Sequence, residues 1–450
     1  MEPTQAFDPN RTMIAPPAGQ PTMAMPAGSM AQPAQSLVAK LTPSRPATMA
    51  NGPAREQFLL EITSPNNDLP GVASGSVRTP LNLCLVVDRS GSMEGQPLEY
   101  AKQACTYVVD MLSPNDILSI VTFEQFVELL MPPQRVTSKD PIKQGISRLT
   151  PGNTTNLYDA LNMAMQQVIS FQEGKRATRV IVLTDGDPTE GIKDFATLVA
   201  FAGELKAKGI TTTFLGFGGD YNEELLAGMA KRAGGNHYFI PRPELLPEIF
   251  RTELEKLFTL TGQNLRLQMK LARWVKLRAA TGHNVPPGDR EFELTLTDLE
   301  RGATLQQVFD FEFANHPLGH YRVATGRLLF DDSTTGQPSS MEIDFEMEFT
   351  ADAARYSAPA NPVVTQASDV AAASRAVERT IMGLKTGQIT SMGAVAELQK
   401  TQALLLQDGR ISEAQEVTMA LRALQSGDHG TAEKTLMGTV VQLDQGKKQS

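Results

Sequence analysis

The sequence predicts an α/β fold, a doubly wound and mostly parallel sheet, followed by an antiparallel β-sandwich and a C-terminal helical region. Three observations predict it. Short apolar runs alternate with amphipathic stretches between residues 80 and 261, the pattern of strands joined by crossover helices. Period-two alternation then takes over up to residue 352, as in Phe292-Glu293-Leu294-Thr295-Leu296. Helical periodicity returns from residue 366 to 450.

Residues 1–54 are rich in Pro, Ala, Met, Gln, Ser and Thr, with few aromatics and no periodic apolar face. Such a segment buries too little to offset its ordering entropy, so a disordered tail is expected. Residues 55–79 form a lead-in, with Gln57–Thr63 as a strand. The strands expected in the α/β region are Leu81–Val87, Ile117–Thr122, Val180–Leu183, Thr211–Gly216 and His237–Ile240, with a weaker one at Val127–Met131. Helices are expected near 97–112, 140–149, 157–171, 193–208, 222–233 and 243–259. The nearly continuous apolar character of the first and third of these strands suits burial on both faces.

Residues 262–352 make the sandwich, with strands near 264–272, 275–280, 290–298, 305–313, 320–330 and 341–349. Residues 353–365 read as a linker and 366–450 as helices. In the latter, Leu406-Gln407-Asp408-Gly409 is echoed by Leu424-Gln425-Ser426-Gly427, each glycine suiting a left-handed helix end.

The formal net charge of −9 argues against nucleic-acid binding, which needs clustered Lys and Arg. Two cysteines, Cys84 and Cys105, cannot make a disulfide framework and read as buried thiols in a reducing compartment. The N-terminus has no apolar core of the length a secretion signal needs, and no stretch has the ~18 apolar residues of a membrane span. A cytoplasmic location is the expectation. No P-loop and no nucleophile elbow occurs, and the five histidines pair with no convincing nucleophile, so an enzyme is not expected.

The chemistry gathers in three separated loops. Val87-Asp88-Arg89-Ser90-Gly91-Ser92-Met93 follows the first buried strand, at the strand end where open parallel sheets bind ligands. Asp88, Ser90 and Ser92 place three oxygens on one tight loop. Thr155 in Pro151-Gly152-Asn153-Thr154-Thr155-Asn156 offers another hydroxyl, and Asp185 in Leu183-Thr184-Asp185-Gly186-Asp187 a second carboxylate. Hydroxyls and carboxylates are hard ligands, suited to Mg²⁺ or Mn²⁺ rather than zinc or copper. The bland alternative is that Asp88 and Asp185 cap their loops and Thr155 caps a helix. Arg89 reads either as a guanidinium beside the ion that attracts an anionic partner or, the preferred reading, as a solvated one.

These residues resemble a von Willebrand factor A domain of bacterial type with an intact metal-ion-dependent adhesion site. The resemblance covers residues 80–261 and rests on Asp88, Ser90, Ser92, Thr155 and Asp185. It implies that Ser90, Ser92 and Thr155 contact the metal directly and that Asp88 and Asp185 act through water. A partner's Asp or Glu then completes the octahedron, which makes the chain a scaffold or interaction module. An alternative reading is a substrate-presenting accessory subunit of a separately encoded AAA+ motor of the MoxR or chelatase type. Extracellular adhesion is a third.

Phe7-Asp8-Pro9-Asn10-Arg11-Thr12-Met13-Ile14 is similar to threonine peptides that bacterial Ser/Thr kinases phosphorylate and forkhead-associated (FHA) domains read. Phosphate on Thr12 would add nearly two charges to an accessible segment. The alternative is a solvated linker.

Overall fold

Order begins inside the stretch expected to be a disordered tail. The computed structural model describes residues 36–65, 78–173, 175–217, 221–286 and 288–449. Val38–Pro43 forms β1 and Ala47–Met49 forms β2. β1 pairs antiparallel with β3 (Ala54–Thr63). The cause lies in one buried carboxylate. Glu56 of β3 accepts from Ser44 Oγ at 2.6 Å and Thr48 Oγ1 at 3.2 Å, and Arg45 pairs with it at 3.0 Å. Polar residues that look solvated in the sequence thus satisfy a buried acid, and Leu37 beside them is fully buried. The expected tail therefore extends no further than residue 35, and 1–35 lie outside the described residues.

The α/β region follows in order: β4 (Leu81–Asp88), α1 (Gln96–Met111), β5 (Ile117–Phe123), β6 (Val127–Arg135), α2 (Asp140–Ser147), α3 (Leu157–Ile169), β7 (Ala177–Thr184), α4 (Phe195–Ala207), β8 (Thr211–Phe217), α5 (Glu223–Ala233), β9 (Gly234–Ile240) and α6 (Leu246–Phe258). The strand order is β6-β5-β4-β7-β8-β9. Neighbours run parallel except β6, which is antiparallel to β5. Every residue of β4, β5, β7 and β8 is buried.

On β4 the two-residue side-chain period sorts the layers. Leu81, Leu83, Leu85 and Val87 face the core shared with α1, α2 and α6, while Cys84 and Val86 face α3, α4 and α5. Cys105 of α1 lies in the first core and Cys84 in the second, so the sheet separates them and both thiols are free. The sheet order reverses around β4, which opens a crevice at the carboxyl ends of β4 and β7.

Residues beyond α6 form β10 (Leu260–Leu271), β11 (Val275–Ala280), β12 (Glu291–Thr295), β13 (Leu299–Glu300), β14 (Ala303–Phe313), β15 (Gly319–Asp332) and β16 (Gln337–Thr350). They make two sheets, β1-β3-β14-β11 and β12-β10-β15-β16-β2, whose inner faces share one core including Phe58, Phe311 and Phe345. The expected limits of 262–352 therefore need correction. Strands from before the α/β region complete both sheets, β3 pairing with β14 and β2 running parallel to β16. The α/β region is an insertion between β3 and β10. Thr79, where it begins, donates from its N–H to Phe258 O (2.9 Å) and from its hydroxyl to Leu260 O (2.7 Å), where it ends.

The expected linker at 353–365 holds a short helix, α7 (Ala353–Tyr356), and the start of α8 (Pro362–Lys385). Next come α9 (Ser391–Gln407), α10 (Ile411–Gln425) and α11 (His429–Asp444), which share one core, and then β17 (Lys447–Gln449), which pairs with β14. Buried charge joins these parts. Asp298 pairs with Arg179 of β7 at 2.5 Å and with Lys206 of α4 at 3.4 Å, and its carbonyl accepts from Lys447 Nζ at 3.1 Å. Burial pushes the Asp298 carboxyl up, but the Lys206 and Arg179 charges outweigh that and hold it well below the usual range. Among the described residues, no helix is long and apolar enough to cross a membrane.

Candidate metal centre

β4 ends at Asp88 because its carboxylate turns back on its own loop. Oδ1 accepts from Ser90 N at 2.8 Å, and Oδ2 accepts from Thr184 Oγ1 of β7 at 2.6 Å. The chain then tightens into a single turn of 3₁₀ helix at Gly91–Met93. Gly91 N donates to Asn153 O at 3.1 Å, and a methyl group at Gly91 would lie 3.3 Å from that oxygen. Glycine eases this close approach of the two loops, because a side chain would press on that carbonyl oxygen. Gly152 N returns the contact by donating to Arg89 O at 2.5 Å.

The third loop is tied to the second through Thr155. Its N–H donates to Thr189 Oγ1 at 2.9 Å, and its carbonyl accepts from Thr189 N at 3.0 Å and Glu190 N at 3.2 Å. Helix α3 is capped by Asn156, whose side chain accepts from Asp159 N, so Thr155 is not the cap. That removes one half of the bland alternative.

The geometry brings the sequence-selected residues together. Ser90 Oγ and Ser92 Oγ are 3.1 Å apart, and Ser92 Oγ donates to Asp185 Oδ1 at 2.7 Å. A methyl group at Gly186 would sit 3.5 Å from Ser92 Oγ and 3.6 Å from Thr155 Oγ1, so both hydroxyls border the space that this glycine leaves open. Neighbouring ligands of an octahedral Mg²⁺ with bonds of 2.0–2.1 Å lie about 3 Å apart. The Ser90–Ser92 and Ser92–Asp185 separations are close to that edge length. Among the described residues, no three His, Cys, Asp or Glu side chains converge on a metal position. Any cation here would depend on hydroxyls.

Asp88 is fully buried, and among the described residues no cation is one of its hydrogen-bond partners. Burial pushes its carboxyl up to about 7, against the downward pull of the Thr184 and Ser90 hydrogen bonds and with further upward pressure from Asp185. A divalent cation nearby would relieve that cost.

Sequence reasoning missed the role of Thr184, which it leaves in the loop after Val180–Leu183; Thr184 is the last residue of β7 and its hydroxyl is tied to Asp88. It also misplaced Arg89. Its side chain is only 12% exposed and reaches Glu128 at 3.2 Å and Glu124 at 3.7 Å, so it is not a solvated guanidinium. Glu124 in turn accepts from Asn153 N and Phe126 N. Backbone N–H groups of Gln125, Asn153 and Phe126, with the Arg89 charge, hold Glu124 below the usual carboxylate range despite its desolvation. Thr12 lies outside the described residues.

Residues 82–252 match the family model of the von Willebrand factor type A domain. The uncharacterized protein sll0103 of Synechocystis sp. is 33% identical over 196 residues, 43% of this chain and 46% of that one. The inter-alpha-trypsin inhibitor heavy chain H4 of Homo sapiens is 30% identical over 172 residues, 36% of this chain and 18% of that one. The match thus spans less than half the length of either relative. Two solved structures share the fold more broadly. A von Willebrand factor type A protein from Catenulispora acidiphila has a TM-score of 0.67 at 16% identity, covering 84% of this chain and 88% of that one. The ArnB paralog VWA2 from Sulfolobus acidocaldarius has a TM-score of 0.65 at 14% identity, covering 91% and 98%. The α/β region of this chain, inserted into its paired sheets, is a von Willebrand factor type A domain.

Proposed function

We propose that the chain is a non-enzymatic interaction module that captures a partner's Asp or Glu carboxylate through a bound divalent cation, Mg²⁺ or Mn²⁺. Ser90, Ser92 and Thr155 would hold the ion by their hydroxyls, with Asp88 and Asp185 supplying charge. The observation that carries the reading is the run of oxygens Ser90–Ser92–Asp185 at 3.1 and 2.7 Å beside a buried Asp88. When bound, the cation would supply a Lewis-acidic position for an outside carboxylate.

The chain's own residues prepare that position. Thr184 and Ser90 N fix both Asp88 oxygens, so the carboxylate cannot swing away. Gly186 leaves the space between Ser92 and Thr155 open. Two carboxylates balance the two charges of the ion, and three neutral hydroxyls leave it short of electron density. Such an ion draws a further anionic oxygen.

The test is calorimetric. Mg²⁺ titrated into EDTA-treated full chain should bind at one site, and Ser92→Ala or Thr155→Ala should weaken it at least about tenfold. Partner capture should fall away with EDTA and with either variant. Capture indifferent to both would refute the reading.

A further inference from the structure

The loops that carry the candidate metal ligands also carry a rim of acid, and we infer from it that the captured Asp or Glu is flanked by Lys or Arg on the partner. This inference rests on the metal-mediated reading above and specifies the partner it would select. Glu94 lies two residues beyond Ser92, and Asp187 two residues beyond Asp185. Glu190 donates its backbone N–H to the Thr155 carbonyl at 3.2 Å. All three side chains are exposed, and among the described residues none has a salt-bridge partner.

Little positive charge offsets them. In residues 88–96, 124–128, 151–156 and 185–194, Lys193 is the only exposed Lys or Arg. Its ammonium donates to Thr189 O at 3.2 Å. Arg89 is largely buried and is matched by Glu124 and by Glu128, itself 62% exposed. Asp194 adds another exposed carboxylate as the cap of α4.

The centre itself is close to neutral, because Asp88 and Asp185 balance a divalent ion. The rim then sets the field that an approaching partner meets. Glu94 and Asp187 each have their Cα within about 7 Å of that of a candidate ligand, a backbone separation comparable with the ~8 Å screening length of physiological salt. A lone acidic ligand would be repelled by the rim while it is drawn to the ion. Basic neighbours turn that repulsion into complementarity and exclude acidic surfaces.

The test uses the full chain in MgCl₂ and fluorescent peptides of about nine residues with one central Glu. The flanks are Lys, Ala or Glu, and binding is read by anisotropy at low salt. The Lys-flanked peptide should bind about fivefold more tightly than the Ala-flanked one and the Glu-flanked peptide more weakly, as two rim pairs allow. The gap should close in about 0.5 M NaCl. Asp187→Lys with Glu190→Lys should reverse the order without moving the melting temperature. Binding that needs Mg²⁺ and the central Glu but ignores the flanks would overturn this inference and leave the metal reading standing. Lys-flanked binding that survives EDTA and a central Gln would be mere charge attraction and would overturn it too. If no peptide shows Mg²⁺-dependent binding, both readings fall.

Discussion

Thr184 donates its hydroxyl to Asp88 at 2.6 Å, joining the ends of two neighbouring parallel strands through the most deeply buried group of the site. Thr184→Val keeps the shape and removes the donor. An acceptor left unsatisfied in the interior costs about 1–3 kcal/mol. Denaturant unfolding of the metal-free variant should show that loss. The hydrogen bond also holds the Asp88 carboxyl down, so Mg²⁺ binding by the variant should need higher pH than in the wild type.

Asp88 also sets a pH dependence. Its folded value of about 7 lies above the ordinary 3.8 because the side chain is buried. The folded metal-free protein therefore holds a proton that the unfolded chain has released. The stability this contributes is full below about pH 4 and is lost as pH rises through about 7. Mg²⁺ reverses the trend by favouring the ionised form, so its affinity should rise about tenfold per pH unit up to about 7 and then level off. Calorimetric titrations between pH 5.5 and 8 check this, and Asp88→Asn should flatten the profile.

Gly191 has φ +67°, and a methyl group there would lie 2.4 Å from Asn156 Oδ1, the cap of α3. Gly191→Ala should therefore cost about 1–3 kcal/mol through backbone strain and displacement of the cap. Because Thr189 and Glu190 hold Thr155 from the same loop, Mg²⁺ affinity should fall with stability. Thermal melts with and without Mg²⁺ separate the two losses.

Asp298 pairs with Arg179, near the amino end of β7 and so away from the candidate site at its carboxyl end, and with Lys206, both almost fully buried. Asp298→Ala would leave two interior cations without their partner, a loss of about 3–5 kcal/mol. Since the native carboxyl is held below its ordinary value, its contribution is present above about pH 4 and fades as pH falls further. Urea midpoints at pH 3 and pH 7 should differ more for the wild type than for the variant.

What the sequence reveals divides along physical lines. β4, β5, β7 and β8 are legible because strands buried on both faces need continuous apolar runs. The site loops are legible because Asp88, Ser90 and Ser92 sit on one turn and Asp185 follows a recognisable strand. The strands at 38–49 are hidden. β2 finds its partner at Glu348–Thr350, three hundred residues on, and the polar side chains around β1 are recruited by Glu56 rather than by any periodic apolar face. The pairing of β3 with β14 across the whole inserted domain is hidden for the same reason: register between distant strands leaves no local pattern. The pairing of Arg89 is hidden because its carboxylate partners, Glu124 and Glu128, lie on the β5–β6 hairpin, distant in sequence.

Diffraction from crystals soaked in Mn²⁺, with data collected at the manganese edge, tests the central claim most directly. A single anomalous peak about 2.2 Å from Ser90 Oγ and Ser92 Oγ is the result expected for a hard ion on hydroxyl ligands. No peak there at saturating Mn²⁺, with the hydroxyls of Ser90, Ser92 and Thr155 turned away from one another, would contradict it.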